Sequence, residues 1–139
     1  MDGIFHCAGC GTALTCRISV ASLKDPSVEP PVLEDQQPVC EPGEGIKSYG
    51  PLVRSFGERT HPLDFAPQFW LHPDDVGETT EWTRDRGRLT GRCGIAGSDG
   101  PNIICRNCGS EVGTVQTDCY TPFIFVPEPK NTEFRKTGS

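Results

Sequence analysis

Two cysteine motifs are the residues whose type and spacing point most clearly to chemistry. They read "CAGCG" at 7 to 11 and "CRNCG" at 105 to 109, so both have the pattern CxxCG. Two residues between the cysteines let the chain turn tightly, and a glycine after the second cysteine accepts a positive φ without a Cβ clash. Two such turns supply the four thiolates of a tetrahedral zinc site. The predicted zinc ligands are Cys7, Cys10, Cys105 and Cys108.

The predicted metal is structural. Four thiolates leave no open coordination position, so a zinc ion held in this way activates no water. An iron ion of the rubredoxin type uses the same ligands, and the sequence does not separate it from zinc. A thioredoxin-like redox motif would need a helix after CxxC, and neither motif is followed by a helical pattern. Because about 94 residues lie between Cys10 and Cys105, we expect the metal to stabilise the fold as a whole.

The other four cysteines share no ligand spacing, and they are Cys16, Cys40, Cys93 and Cys119. Cys16 lies in an alternating stretch from Leu14 to Val20 that predicts a half-buried strand, so it is interpreted as a small core residue. Cys40 lies in an acidic loop and is predicted to be exposed. In a cytoplasmic chain, the eight cysteines are expected to be metal ligands or free thiols and not a disulfide framework.

The elements that must position these cysteines are predicted to be strands. Gly and Pro make up about a fifth of the chain, and both residues break helices. Residues 24–46 contain five prolines and six acids, which predicts a long loop. We therefore expect a mainly β, loop-rich single domain over residues 1–128, followed by a polar tail over residues 129–139.

The arrangement of the two motifs resembles a known group of zinc proteins. An N-terminal "FHCAGCG" before a strand, a long insertion and then "ICRNCGSEVG" are similar to the β-tent superfamily. That group includes the thalidomide-binding domain of cereblon, Yippee-like proteins and methionine sulfoxide reductase B. The resemblance covers about 20 residues and implies two small antiparallel sheets that meet at an angle and are pinned by zinc on the four cysteines.

Two members of this superfamily imply specific site residues, and the chain departs from both patterns. A cereblon-type domain implies a cage of three tryptophans, but this chain has two, and "SEVGTV" after the second motif contains none. The reductase implies a catalytic cysteine in a strand near the C-terminus. Cys119 is the one candidate by position, and its neighbours do not match.

Binding and catalysis are the two function classes that the remaining residues suggest. The aromatic segment 65–82 predicts a binding surface for a protein, peptide or small molecule, with Trp70 and Trp82 as its contact residues. The alternative is a small enzyme that uses residues of two His-Pro segments or the thiol of Cys119. Those segments read "HPLD" and "HPDD", and turns are their favoured interpretation because Pro and Asp mark turns. The candidate acid/base residues are His61, Asp64, His72 and Asp75.

Charge and hydropathy argue against nucleic acid and membrane as partners. The formal net charge is −6, which disfavours a nucleic-acid-binding protein because that binding depends on neutralising phosphates. The N-terminus "MDGIFHC" has no basic or apolar region of a signal peptide. No apolar run approaches the roughly 18 residues of a membrane span. A soluble, cytoplasmic protein is expected.

Overall fold

The fold is built almost entirely from short strands. The computed structural model describes residues 1–53, 61–91 and 94–137. Its strands are β1 (Asp2–Cys7), β2 (Ile18–Ser22), β3 (Glu44–Ser48), β4 (Gln68–Leu71), β5 (Thr80–Trp82), β6 (Ile103–Cys105), β7 (Glu111–Gln116), β8 (Ile124–Pro127) and β9 (Thr132–Lys136). The helices in these ranges are two three-residue 3-10 turns, at Pro73–Asp75 and Arg86–Arg88. The prediction of a mainly β protein is confirmed. None of the described helices has the length and apolar character that crossing a membrane requires.

All nine strands belong to one sheet, with the order β5-β6-β7-β8-β4-β3-β2-β1-β9. Neighbouring strands are antiparallel except for β2 and β3, which run parallel. A parallel pair needs a long crossover connection, and the acidic, proline-rich segment provides it. This loop is shorter than predicted from the sequence, because its last residues, from Glu44 onward, already form β3.

The prediction of two small sheets is wrong. Strands β4 and β8 pair through Leu71 and Phe125, and this pairing joins the group β5 to β8 to the group β4, β3, β2, β1 and β9. Both residues are at most 1% exposed. Strand β8 is buried along its whole length, as is typical of a strand that is covered on both faces and paired along both edges.

The single sheet is curled into a half-barrel. Strand β1 ends in the first cysteine motif, and β6 ends in the second. Five strands lie between them in the sheet order, so a flat sheet would hold them about 29 Å apart at about 4.8 Å per strand. The Sγ atoms of Cys7 and Cys108 nevertheless lie 3.5 Å apart. The curl therefore brings the two motifs together.

A short segment after the first motif joins the two sides of the curl. Isolated bridges connect His6 with Ala13 and Thr15 with Val76. The N–H of Gly77 also donates to the carbonyl of Leu14 over 2.7 Å. Residues 13 to 15 thus link β1 to the residues just before β5, directly below the cysteines.

Two apolar clusters pack on opposite faces of the central strands. The inner cluster includes Leu71 and Phe125, and the outer one includes Trp70 and Ile124. Successive residues of a strand point to opposite faces, so β4 and β8 contribute to both clusters. Loop residues such as Val39 and Leu63 complete the outer cluster. The loops therefore cover a sheet face that would otherwise be exposed to solvent.

The residues predicted as a polar tail contribute the edge strand β9. All five of its residues pair with β1, and Phe134 lies opposite Phe5. The Phe134 ring covers Gly3, where an added Cβ would lie 2.5 Å from it. A glycine at this position therefore makes room for the ring, and the ring holds β9 on the sheet.

Candidate functional site

The four motif cysteines come together in space, as the sequence predicted. Their sulfur atoms all lie within 4.8 Å of one another. The Sγ atoms of Cys7 and Cys108 are 3.5 Å apart, and those of Cys10 and Cys105 are 3.6 Å apart. A tetrahedral ion with bonds of about 2.3 Å to sulfur needs sulfur atoms about 3.8 Å apart. The cluster could therefore hold a metal ion, and within the described ranges no other group of three or more Cys, His, Asp or Glu side chains is this compact.

The first motif forms a tight turn held by its own backbone. The N–H of Cys7 donates to the carbonyl of Thr12 over 2.8 Å, and the N–H of Gly11 donates back to the carbonyl of Cys7 over 2.7 Å. The Thr12 hydroxyl lies 3.1 Å from the sulfur of Cys10. These bonds hold the turn that carries both sulfurs.

The second motif repeats this arrangement at equivalent positions. The N–H of Cys105 donates to the carbonyl of Ser110 over 2.8 Å, and the N–H of Gly109 donates to the carbonyl of Cys105 over 2.7 Å. The Ser110 hydroxyl lies 3.2 Å from the sulfur of Cys108. The two turns are thus local copies of each other, and each places one cysteine inside the fold and one at its surface.

The thiols on the two sides of the cluster have different proton affinities. Hydrogen bonds from the side chains of Asn107 and Thr12 lower the pKa of Cys10 below its usual range. Burial raises the pKa of the Cys105 thiol. A cation held between the four sulfurs would favour the thiolate form of Cys105 and so oppose the effect of burial.

The glycine after each motif is required by its backbone conformation. Gly109 has φ +78, and nothing lies within 4 Å of an added Cβ. Gly109→Ala is therefore expected to lower the free energy of unfolding by about 1 kcal/mol through backbone strain alone, measured by denaturant titration. Gly109→Asn should lower it less, because asparagine adopts this conformation more readily. Gly50→Ala is the control, since Gly50 has open space and no positive φ. Equal losses for alanine at both glycines would contradict the explanation.

The two His-Pro segments form the same turn, so the turn interpretation is confirmed. The Nδ1 of His61 accepts the N–H of Leu63 over 3.0 Å, and its carbonyl accepts the N–H of Asp64 over 2.9 Å. At the other segment, the Nδ1 of His72 accepts the N–H of Asp74 over 3.0 Å. Each ring therefore uses one nitrogen to cap its own turn. Burial also lowers the pKa of His61.

Asp75 has partners that the sequence did not suggest. It is buried, and it accepts the N–H of Gly43 over 2.7 Å and the thiol of Cys16 over 3.4 Å. Burial, with a further contribution from Asp75, raises the pKa of Cys40 to about 12. The sequence predicted that Cys40 is exposed, but the structure shows that it is half-buried. Asp75 ties the crossover loop to the segment before β2.

The prediction that Cys16 is a core residue is wrong. Cys16 is exposed, whereas Thr15 is buried and its hydroxyl accepts the N–H of Phe5 over 3.2 Å. Strand β2 begins only at Ile18, because the bridges around Thr15 interrupt the alternation that the sequence displayed.

Cys119 is disulfide-bonded. The expectation that every cysteine is a metal ligand or a free thiol is therefore wrong at this residue, and Cys119 does not offer the free thiol that a nucleophile needs. Cys93 lies outside the described residues.

The structure places the two predicted ligand-binding tryptophans on separate strands. Trp70 is 6% exposed, and its indole N–H donates to the Oε1 of Gln68 over 2.9 Å. Trp82 is 48% exposed on β5 and pairs with Ile103 of β6. Three strands lie between β4 and β5 in the sheet order. Trp70 therefore packs in the outer cluster, and Trp82 lies on the surface.

The structure contains a small, mainly apolar cavity that the sequence did not predict. Its volume is about 260 Å³, and its lining includes Phe5, Phe65, Phe69 and Phe134. The ring centroid of Phe5 lies 5.0 Å from that of Phe69 and 4.9 Å from that of Phe134. The rings come from β1, β4, β9 and a loop, so only the assembled sheet places them side by side. Phe65 and Phe69 were part of the predicted aromatic segment, but nothing in the sequence linked them to the other two.

Comparisons with profiles of protein families, with curated proteins and with solved structures give no significant match.

Proposed function

We propose that this chain is a zinc-stabilised binding module whose metal is purely structural and whose ligand occupies the phenylalanine cavity. The observation that carries the binding role is the group of phenylalanine rings around a concave space of about 260 Å³. Phe69 and Phe134 are only partly buried there. Concave sites with aromatic walls and few polar groups are typical of small-molecule binding.

Zinc is the proposed ion because tetrahedral four-sulfur sites hold zinc or iron, and zinc adds no redox chemistry to a structural site. Cys7 and Cys105 are fully buried members of the inner apolar cluster. A metal bound by them would fasten the two ends of the curled sheet to the core. The β-tent resemblance points to the same role, although the nine-stranded sheet differs from the pair of sheets it implied.

The tryptophans have different roles in this proposal. Trp70 does not line the cavity, but it donates to the side chain of Gln68, which does. The same side chain accepts the N–H of Leu52 over 3.0 Å. Trp70 therefore positions part of the cavity wall. Trp82 is exposed on another strand and is proposed as a contact for a protein or peptide partner. The enzyme alternative has less support, because the rings of His61 and His72 cap turns and Cys119 is disulfide-bonded.

The metal assignment is tested by elemental mass spectrometry of the purified chain. One zinc ion per chain is expected. A reagent that modifies the cysteine thiols should release that ion. A chain that carries iron, or much less than one ion, would contradict the zinc assignment.

The binding role is tested by amide chemical-shift mapping of the zinc-loaded chain against a small set of aromatic fragments with different charges. Saturable shifts are expected at the amides of Lys47, Phe69 and Phe134, which surround the cavity. Thr83, which does not line the cavity, serves as an internal reference. If no fragment moves the cavity amides, or if all of them act at Trp82 instead, the proposal fails.

A further inference from the structure

The phenylalanine cavity has a single charged group in its wall. Among the described residues that line it, Lys47 is the one with a charge, and none is an acid. This composition is unusual for a chain with a net charge of −6. The described part of the cavity wall therefore carries one cationic group and no anionic group.

The ammonium of Lys47 lies near two aromatic rings. Its Nζ lies 5.5 Å from the ring centroid of Phe69 and 5.5 Å from that of Tyr49. In the described part of the chain, no Asp or Glu lies within ion-pair distance of it. A cation beside an apolar wall, with no described carboxylate at ion-pair distance, is well placed to bind an anionic group of a ligand.

The size of the cavity limits the ligand. Its volume of about 260 Å³ falls below the range of about 300–1,000 Å³ that is usual for drug-sized ligands. One six-membered ring with a short side chain is a suitable occupant. Such a ring can meet the faces and edges of Phe69 and Phe134 in the offset or edge-to-face geometries that aromatic pairs prefer.

We propose that the phenylalanine cavity binds small free carboxylic acids that carry one aromatic ring. The ring packs against Phe69 and Phe134, and the carboxylate accepts a charge-assisted hydrogen bond from the Nζ of Lys47. This inference rests on the proposed binding function and names its ligand class.

The test uses three probes with one carbon skeleton and different charges: 3-phenylpropanoate, 3-phenylpropan-1-ol and 3-phenylpropylammonium. Each is titrated into the zinc-loaded full chain, and the amide shifts at Lys47, Phe69 and Phe134 are followed. The carboxylate is expected to bind about tenfold more tightly than the alcohol, and the ammonium ion more weakly than either. The affinity order is the prediction, so it holds even if all three dissociation constants are millimolar.

Two lysine variants locate the charge that matters. Lys47→Met keeps an unbranched apolar stem, and it should reduce carboxylate affinity to about that of the alcohol while leaving alcohol affinity nearly unchanged. Lys24→Met is the matched control, because the Lys24 ammonium also lies over Tyr49, at 4.2 Å, but Lys24 does not line the cavity. If Lys47→Met fails to fold, Lys47→Arg and the charge series on the unmodified chain still decide the question.

The outcomes separate this inference from the proposed function. If alcohol and carboxylate bind equally at the cavity, or if Lys24→Met is as harmful as Lys47→Met, the carboxylate inference is overturned and the binding function survives. If no probe reaches the cavity, both are overturned. If a peptide that ends in a free phenylalanine carboxylate binds more tightly than the free acid, the ligand is a chain terminus and the assignment to free acids is wrong.

Discussion

Cys105→Ser is expected to release the metal and to lower the free energy of unfolding by about 5 kcal/mol or more. That loss is comparable with the whole stability of a typical domain, so the variant should be largely unfolded at room temperature. The physical reason is that Cys105 is fully buried and lies on a strand six places from β1 in the sheet order. Circular dichroism during denaturant titration, together with elemental analysis, measures both effects.

The control for this change is Cys16→Ser, which alters another free thiol. Cys16 is exposed and lies outside the four-sulfur cluster, so its loss should leave the metal content and the unfolding midpoint nearly unchanged. Prolonged chelation of the unmodified chain should reproduce the effect of Cys105→Ser. A chelated chain that keeps its native midpoint would show that the sheet does not depend on the metal.

Phe5→Ala is expected to lower the free energy of unfolding by about 3–5 kcal/mol. Phe5 is 1% exposed, and it meets Phe69 edge-on at 5.0 Å and Phe134 at 4.9 Å. Its removal would leave a void in the inner apolar cluster and merge that void with the adjacent cavity. Denaturant titration of the zinc-loaded variant measures the loss.

Phe134→Ala is the comparison for this prediction. Phe134 contacts the same rings from the edge strand β9, but it is only partly buried. Its replacement should cost less, about 1–2 kcal/mol, because less apolar area is lost from the core. A loss at Phe134 as large as that at Phe5 would mean that the attachment of β9, and not the inner packing, limits stability.

The cluster of four cysteines could be predicted from the sequence because its information is local. Each CxxCG motif specifies its own turn, and the same backbone bonds recur at Gly11 and Gly109. Pairing the two turns then needs only the assumption that one ion takes four thiolates. The distance along the chain between Cys10 and Cys105 does not weaken this argument, since it does not alter the ligand chemistry.

The sheet could be predicted only as strands and not as an order of strands. A single pairing, between Leu71 and Phe125, turns two groups of strands into one sheet, and no local pattern encodes it. The same is true of β9, where a polar stretch becomes ordered because Phe134 packs on Phe5 and over Gly3. Long-range packing decided both features.

The candidate ligand site shows the same limit. Trp70 and Trp82 were predicted as contact residues because tryptophan is often found in binding sites. In the structure Trp70 is buried and Trp82 is exposed, so they do not share one site. The phenylalanine rings that do form a cavity are distributed along the chain from Phe5 to Phe134. The sequence contains no signal that these rings share a wall.

The sheet order has a consequence for protein synthesis. The thiols of Cys7 and Cys10 leave the ribosome long before those of Cys105 and Cys108, by roughly 5–20 s at usual elongation rates. During that interval β1 also lacks β9, its main partner. The first thiol pair is therefore made before its partner thiols and before the strand that pairs with most of β1. If the four cysteines hold a metal ion as proposed, the supply of that ion during synthesis will affect how much of the protein reaches its native state.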